Sequence, residues 1–379
     1  MSKLFSSFDL RGVELANRIV ISPMCQYLAD DGSANDWHLM HLGNLSMSGA
    51  SLLFTEATHV SAQGRISHRC LGLYSDENEA ALKRVVDFCH EHGTAKMGIQ
   101  IGHAGRKAST HVPLKGGQAL GPDEDPWQTI GPSAIPYTES WHTPQAFTDA
   151  DFGRVKDAFV QATIRAARIG FDVVELHGGH GYLLHQFLSP LSNRRDDGYG
   201  GDTSGRMRFP LEVFDAVRDA WPDDRPLGIR LSATDWVEGG WTPEETVIMA
   251  RELKARGCDF VDITTAGLHP AQKIPVGPGY QVTFAEQVRR EAEVTTMAVG
   301  MINQAQQAED IIAGGQADFV MLARGMMYDP RWAWHAAEEL GAEIVYPEQY
   351  ARANPAKWPQ AFPNRRDTAP KAISDPRQT

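Results

Sequence analysis

Cysteine is scarce in this chain of 379 residues. The four that occur, Cys25, Cys70, Cys89 and Cys258, are too few and too scattered for a disulfide framework. No two of them have the C-x-x-C spacing of a zinc or iron–sulfur site. We therefore expect a protein of a reducing compartment, the cytoplasm, without a metal centre.

Basic residues are fewer than acidic ones, and long apolar runs are absent from the sequence. Lys and Arg total 36 against 48 Asp and Glu, a formal charge of −12, which leaves no basic surface for a phosphate backbone. No run approaches 18 apolar residues, and the segment Met1–Leu10 lacks the basic start and apolar stretch of an export signal. Neither nucleic acid nor a membrane is an expected partner.

What the sequence does have is a regular alternation of strand and helix patterns. Eight short β-rich apolar runs are too continuous for strands with one solvated face, so they indicate buried parallel strands. Helical spacing lies between them, as in 151–169, where apolar residues form one stripe. The predicted strands are Arg18–Met24, Ser51–Ala57, Ala95–Ile101, Phe171–His177, Pro226–Ser232, Asp259–Thr264, Thr295–Gly300 and Asp318–Ala323.

Several helix boundaries are marked in the sequence. Thr148 with Asp151 resembles a capping box, and the run 242–245 supplies an N-cap threonine, a proline at the first helical position and an acidic first turn. Gly170 and Gly257 stand just before predicted strands, where a left-handed residue closes a helix.

Eight strand and helix repeats predict a closed (β/α)₈ TIM barrel, an α/β fold. An open dinucleotide-binding sheet is the less favoured alternative, because no G-x-G-x-x-G follows a strand. About seventy residues separate the third and fourth strands, and they include a Gly/Pro/aromatic-rich excursion, Arg106–Phe147, of the kind that often covers a site. We predict one barrel over residues 1–350 and a C-terminal arm or tail over 351–379.

Polar residues concentrate where the predicted strands end, which is where barrels of this class build their active sites. Such barrels often bind phosphate after strands seven and eight, where Gly300 allows close backbone approach and Arg324 supplies several donors. A phosphorylated cofactor is therefore plausible. The strand ends carry Ser22–Tyr27, Glu56 with Ala57, Gln100 with His103, Glu175–Tyr182, Arg230, Thr264 with Thr265, Gly300 and Ala323–Gly325.

Several motifs, in order along the chain, make the sequence similar to a known family. They are Asn17–Val20 leading into Ser22–Tyr27, Ala62–Ile66, Gln100–Lys107, His177–Leu183, Phe187–Arg194 and Tyr199–Gly201. From about Leu4 to Arg352 the chain resembles the Old Yellow Enzymes, flavin-dependent ene-reductases, and within them a bacterial branch of xenobiotic reductases and thermophilic-like members.

The resemblance implies FMN across the barrel mouth and NADPH or NADH as hydride donor. Gln100 would face the pyrimidine edge of the flavin, and Arg230 would favour the anionic reduced ring. A salt bridge at the barrel rim is the alternative role for Arg230. The implied cofactor residues are Ser22, Pro23, Met24, Cys25, Ala57, Gln100, Arg230, Gly300, Ala323 and Arg324.

The same resemblance assigns the substrate side. His177 and His180 would hold the carbonyl oxygen on which negative charge develops. Tyr182, with an ordinary pKa of about 10, would supply a proton to the α-carbon from the opposite face. A metal site built on His177 and His180 is the rival interpretation, although no third ligand is evident at a neighbouring strand end.

Other implied residues shape the pocket. Cys25 would lie near the reactive edge of the flavin, with packing as a small buried hydrophobe as the alternative, and Tyr27 would add a hydroxyl. Met301 would leave an adaptable wall where some relatives have tryptophan. Either Arg352 or Trp358 would reach the active site of a neighbouring subunit, which implies a homo-oligomer, a dimer or tetramer.

The sequence thus predicts a flavin-dependent ene-reductase acting on small activated alkenes. A nicotinamide reduces FMN, and hydride from flavin N5 with a proton from Tyr182 then reduces a double bond conjugated to a carbonyl or nitro group. The alternatives are a metal-dependent barrel hydrolase using His177 and His180, and a flavin-binding protein without catalytic activity.

Overall fold

Eight parallel strands close into a complete barrel in the computed structural model, which describes residues 1–362. Each strand pairs with the next along the chain, and the last pairs with the first through Leu322 and Ile21, so the barrel has no open edge. The strands are β1 (Ile19–Ile21), β2 (Leu52–Phe54), β3 (Lys96–Gly102), β4 (Val173–Gly178), β5 (Leu227–Ser232), β6 (Phe260–Thr264), β7 (Thr295–Ala298) and β8 (Phe319–Leu322).

Helices on the outside connect the strands, as parallel strands require. The crossover helices present an apolar face to the barrel, and their buried residues form one large core with the outward side chains of the strands. The helices are α1 (Asp36–Ser46), α2 (Asp76–His92), α3 (Asp149–Ile169), α4 (Leu183–Leu188), α5 (Thr203–Ala220), α6 (Pro243–Ala255), α7 (Val282–Ala292), α8 (Ala305–Ala313), α9 (Arg324–Tyr328) and α10 (Trp332–Glu339).

A second apolar core fills the lower half of the barrel interior. Phe54 and Phe260 meet inside with ring centroids 6.2 Å apart. Glycines make room for them, because a Cβ on Gly98 or Gly228 would lie 2.5 or 2.4 Å from those rings. An N-terminal hairpin, Phe8–Leu10 paired with Val13–Leu15, packs on the same cluster and closes the bottom. Chemistry is therefore confined to the carboxyl ends of the strands.

The predicted fold is confirmed: six predicted strands contain an observed one, and β3 and β4 each end one residue later than predicted, at Gly102 and Gly178. Asp151 accepts from the amide and hydroxyl of Thr148, and Glu245 accepts from the Thr242 amide, so both predicted helix starts are capped. Gly170 and Gly257 have left-handed backbone, with φ +103° and φ +82°. The predicted helix boundaries follow from these local interactions.

The excursion between β3 and α3 lies against the barrel mouth. Its residues include a short parallel pair, Ile130–Gly131 with Gln145–Ala146. Arg106 ties it down by donating to the carbonyls of Ile135 and Leu268, at 3.2 and 2.9 Å. The excursion is thereby held beside the loop that follows β6.

The chain beyond α10 continues over the outside of the barrel. Its described part contains two 3-10 helices, Glu348–Ala353 and Pro359–Ala361. Residues 363–379 lie outside the described part of the chain. The division into a barrel over 1–350 and an arm over 351–379 stays a prediction.

Candidate active site

A cavity of about 690 Å³ opens at the carboxyl ends of β1 and of β5 through β8. Gly300 lines it in a left-handed conformation at φ +121° that glycine adopts readily. Arg324 is exposed beside it and makes no ion pair or hydrogen bond within residues 1–362. Of the predicted cofactor residues, the structure brings together Ser22, Arg230, Gly300, Ala323 and Arg324 around this cavity.

These residues fit an FMN molecule by their chemistry. An arginine without a protein partner, next to a glycine that lets backbone amides approach, is a suitable set for a phosphate. Arg230 lines the same cavity from the barrel interior and would place a second cation beside a flavin ring. The cavity thus offers separate positive groups for the two ends of a flavin mononucleotide.

Arg230 takes part in a buried charge cluster as well. Its Nε lies 2.8 Å from Asp262 Oδ2 on the neighbouring strand, and its guanidinium donates to Ser22 Oγ at 3.2 Å. The rim salt bridge weighed as an alternative is therefore present, and it coexists with a position on the cavity wall. Asp262 therefore orients the Arg230 guanidinium while leaving it on the cavity wall.

Gln100 and Glu175 complete this polar layer of the barrel interior. Gln100 is 1% exposed and donates its amide hydrogen to Glu175 Oε1 at 2.7 Å. Burial raises the pKa of Glu175 well above its ordinary value, and the nearby Asp262 raises it further. The one positive charge, on Arg230, is thus paired with Asp262, while burial and the neighbouring carboxylate disfavour the charged form of Glu175.

His177 and His180 stand next to this layer. His177 is the penultimate residue of β4, and His180 follows in the left-handed conformation at φ +55°. His177 Nε2 lies 3.3 Å from His180 Nδ1, and His180 Nε2 lies 3.0 Å from Thr264 Oγ1. Burial, followed by the charge of Arg230, lowers the pKa of both rings well below the ordinary value. Both imidazoles are therefore neutral hydrogen-bond donors.

Tyr182 lies beside the pair, its ring centroid 4.9 Å from that of His177. Its hydroxyl makes no hydrogen bond to any residue that the structure describes. Burial is the main cause that raises the pKa of Tyr182 well above its ordinary value, and the neighbouring Cys25 adds to it. The phenol therefore stays protonated and free to meet a ligand.

Cys25 and Tyr27, on the segment after β1, pack on the same small cluster as Tyr182. They pack with Tyr182 and Trp127 around a small apolar cluster that joins the segment after β1 to the excursion. The Tyr27 hydroxyl bonds to the Cys25 thiol, which also contacts the backbone of Ala57. Burial raises the pKa of this thiol well above its ordinary value, so Cys25 is a neutral thiol.

Close backbone packing fixes the loop that carries His180 and Tyr182. Gly181 has φ +73°, and a Cβ there would lie 2.2 Å from the carbonyl oxygen of Gly267. Lys107 Nζ donates to the carbonyls of His180 and Gly267, at 2.9 and 2.8 Å, and thereby joins the loops after β4 and β6. The rings are held by the fold before any ligand arrives.

The remaining predicted residues lie at different distances from the pocket. Pro23 and Met24 follow Ser22, are half-buried and do not line the cavity. Met301 lines the cavity and is 39% exposed. Arg352 and Trp358 are exposed on the outside of the chain and do not line the cavity of their own subunit.

The histidine pair does not form a metal centre with its neighbours. Over residues 1–362, no group of three His, Cys, Asp or Glu side chains is placed to hold a metal ion.

Over the same residues, no helix is both long enough and apolar enough to span a membrane.

Sequence reasoning missed several residues that shape the site. Asp262 was missed, although a carboxylate on an apolar strand is a signal for a buried charge cluster, and Glu175 was named at its strand end without a role. Gln281, which accepts from Thr264 and Thr265, precedes a helix and carries no signal of its own. Its position depends on tertiary packing alone.

Comparison with known proteins agrees with this geometry. The sequence model of the NADH:flavin oxidoreductase / NADH oxidase family matches residues 3–343. An NADPH dehydrogenase of Geobacillus sp. (strain WCH70) is 46% identical over 351 residues, which cover 92% of this chain and 98% of that protein. An NADPH dehydrogenase of Listeria innocua is 44% identical over 355 residues, covering 93% and 99%.

A solved structure is similar as well. Morphinone reductase in complex with tetrahydroNAD superimposes with a TM-score of 0.74 at 27% identity, over 91% of this chain and 92% of that one. The match runs through the whole barrel, and the family model extends through every strand that contributes to the cavity. The chain therefore belongs to the NADH:flavin oxidoreductase / NADH oxidase family, the Old Yellow Enzymes, whose cofactor is FMN.

Proposed function

We propose that this protein is an ene-reductase that uses NADPH or NADH and acts on small alkenes conjugated to a carbonyl or nitro group. One observation supports this most strongly: two neutral imidazoles with nitrogens 3.3 Å apart lie beside a phenol whose hydroxyl has no partner among the described residues. A substrate oxygen that gains negative charge is stabilised by hydrogen-bond donors, here the two imidazoles. The α-carbon needs a proton source, here the phenol.

Different residues of the chain would bind FMN, orient the alkene and donate the proton. Ser22, Arg230, Gly300, Ala323 and Arg324 would hold FMN, as would Gln100, Ala57 and the segment 23–25. Bound FMN would supply hydride exchange between the nicotinamide and the alkene. His177 and His180 would orient the alkene by its oxygen and stabilise the charge that develops there, while Tyr182 donates a proton to the α-carbon.

The pocket wall would set which alkenes enter. Cys25 and Tyr27 present a neutral thiol and a phenol, so a charged substrate would find no counter-ion on that side. Met301 offers a flexible apolar wall at the outer edge. We expect small, uncharged, electron-poor alkenes to be better substrates than carboxylates.

Two rivals are separable by experiment. A hydrolase would need a metal, and no third ligand joins His177 and His180 within residues 1–362. A flavin-binding protein without catalysis would bleach with NADPH but fail to recover with an alkene. The proposed enzyme should be yellow, should bleach under NADPH without oxygen, and should recover when 2-cyclohexenone is added. A flavin that stays reduced with the whole alkene panel would refute the proposal.

Replacing Tyr182 by Phe tests the proton donor. General acids contribute about 10²–10⁴-fold, so reoxidation of the reduced flavin by 2-cyclohexenone should slow by about 100-fold or more. Reduction by NADPH should be unchanged, because it needs no proton from the phenol. Tyr137→Phe is the matched control. Lys107 Nζ lies 4.9 Å from the centroid of the Tyr137 ring, and Tyr137 has no proposed role in proton transfer. Equal alkene rates in both variants would remove Tyr182 from the reaction.

We also propose a cytoplasmic homo-oligomer in which Arg352 or Trp358 enters the partner's pocket. Both are exposed on their own subunit. If Arg352 acts across the interface, mixing the Tyr182→Phe and Arg352→Ala variants in equal amounts should restore about a quarter of wild-type turnover. Half of the dimers are then hybrids, each with one intact site. No recovery after subunit exchange, verified by mass-tagged subunits, would place Arg352 outside the partner's site.

A further inference from the structure

The tautomers of the histidine pair follow from the partners of each ring nitrogen. The Gly179 amide donates to His177 Nδ1 at 3.3 Å, so the proton of His177 is on Nε2. That nitrogen faces His180 Nδ1, also at 3.3 Å. The protonation of His180 therefore decides whether its Nδ1 accepts from His177 or stands beside it as a second donor.

Thr264 sets the tautomer of His180. A threonine hydroxyl has one proton, and Thr264 gives it to Gln281 Oε1 at 3.2 Å. Its oxygen can then only accept from His180 Nε2, 3.0 Å away, so the proton of His180 is on Nε2 and its Nδ1 is bare. Both imidazole protons are used inside the protein, and neither is directed at a ligand.

A ligand oxygen between the two rings needs the other tautomer. An oxygen that accepts from His177 Nε2 and His180 Nδ1 together requires a proton on both, and the 3.3 Å separation lets one oxygen reach both nitrogens. His180 Nε2 is then bare and needs a donor. The Thr264 hydroxyl, already in contact, is the group that can supply one.

We propose that Thr264 is a positioning residue that switches the tautomer of His180 when an oxygen ligand binds. The hydroxyl turns from Gln281 to His180 Nε2, His180 carries its proton on Nδ1, and the clamp acquires its second donor. This inference rests on the proposed role of His177 and His180 toward a substrate oxygen, and it extends that role to the loop after β6.

The switch leaves the number of protons on His180 unchanged, and it leaves few polar groups without a hydrogen-bond partner. His180 releases the Nε2 proton and takes one up on Nδ1 by exchange with water, since Thr264 lines the open cavity. Gln281 Oε1 loses the Thr264 donor but keeps the Thr265 hydroxyl at 2.7 Å. Thr265 thus reduces the cost of the change, because without it a buried amide oxygen would lose its only hydroxyl donor.

The direct test reads the protonated nitrogen of His180 in the FMN-loaded protein labelled with ¹⁵N-histidine. Long-range ¹H–¹⁵N correlation spectra, with the His180 signal assigned by its loss in His180→Asn, should show the proton on Nε2 in the free protein. With 4-chlorophenol bound, the proton should be on Nδ1. A proton that stays on Nε2 with the phenol bound overturns the proposal, because the ligand is then held by a different arrangement.

Two neighbouring threonines provide matched variants. Thr265→Val should weaken 4-chlorophenol binding by about five-fold, the equivalent of one neutral hydrogen bond, because Gln281 would lose its last hydroxyl donor when Thr264 turns. Thr264→Ser keeps a hydroxyl and should bind within about two-fold of wild type. Unchanged affinity in Thr265→Val, with normal FMN content, contradicts the switch.

The results also separate this inference from the proposed function. If the FMN-loaded wild type binds 4-chlorophenol and reduces 2-cyclohexenone while His180 keeps its Nε2 proton, only the switch fails. If the protein neither binds the phenol nor reduces the enone, both fail. Reversal of the tautomer without enone reduction would support the switch and contradict the ene-reductase activity.

Discussion

Buried histidines should make the protein sensitive to mild acid, and His103 isolates the effect. His103 is 2% exposed, accepts from the Gly105 amide at 3.0 Å, and has no partner for Nε2 within the described residues. Burial, with smaller contributions from His59 and Arg154, lowers its pKa to about 3. An unfolded histidine titrates near 6.5. At pH 7.5 the ring is neutral in both states and contributes no pH dependence.

The sign and size of the pH effect on stability follow from the folded and unfolded pKa values of His103. As the pH falls below 6.5, the unfolded chain binds a proton at this position and the folded chain does not, so stability is lost. Between pH 6.5 and 5.0 the loss is about 1.36 kcal/mol per pH unit, or about 2 kcal/mol for this one histidine. Below about pH 3 the folded protein would bind the proton as well.

The assay compares wild type with His103→Asn in urea unfolding at pH 7.5 and 5.0, with excess FMN present. Asparagine keeps an acceptor for the Gly105 amide and does not titrate. The fall in unfolding free energy should be about 2 kcal/mol smaller in the variant, and contributions from other groups cancel in the difference. Equal falls in wild type and His103→Asn would refute the reasoning.

Two further predictions concern the loop packing and the charge cluster. Gly181→Ala should lower the unfolding free energy by about 3 kcal/mol or more, because it combines strained backbone with a clash against a carbonyl, whereas Gly201→Ala, at φ +75° with open space, should cost about 1–2 kcal/mol. Urea midpoints of the two variants test this, and equal midpoints would contradict it. Asp262→Asn should be tolerated because Glu175 can then ionise beside Arg230, but Asp262→Asn with Glu175→Gln should cost about 3–5 kcal/mol, and additive single effects would rule that out.

Most of the fold could be predicted because its signals are local. Apolar runs of strand length, a capping box at Thr148 and a glycine at 170 each act within a few residues, and the structure confirms them. Eight repeats then leave few ways to bury every strand. The carboxyl end of the barrel followed as the place for the site, since a parallel barrel brings all eight strand ends together.

The side-chain roles within the site could be predicted only in part, because they depend on which groups share a proton. Arg230 was expected either at a flavin or in a salt bridge, and it has the salt bridge with Asp262 while lining the cavity. The register of β5 with its two neighbouring strands determines the partners of Arg230, which is paired with Asp262 on one side and with His177 on the other. No sequence pattern encodes that pairing.

The same register explains why neutral histidines can lie beside a buried cation. Arg230 would raise the energy of a protonated His177 or His180, and it is itself compensated by a carboxylate one strand away, on the side opposite His177. Burial of the rings, reinforced by the charge of Arg230, therefore holds both imidazoles neutral. A neutral imidazole has one proton and one lone pair, so its value as a donor depends on where that proton is. The proposed control of the His180 tautomer by Thr264 therefore matters because both rings are neutral, whereas a protonated pair would need no such control.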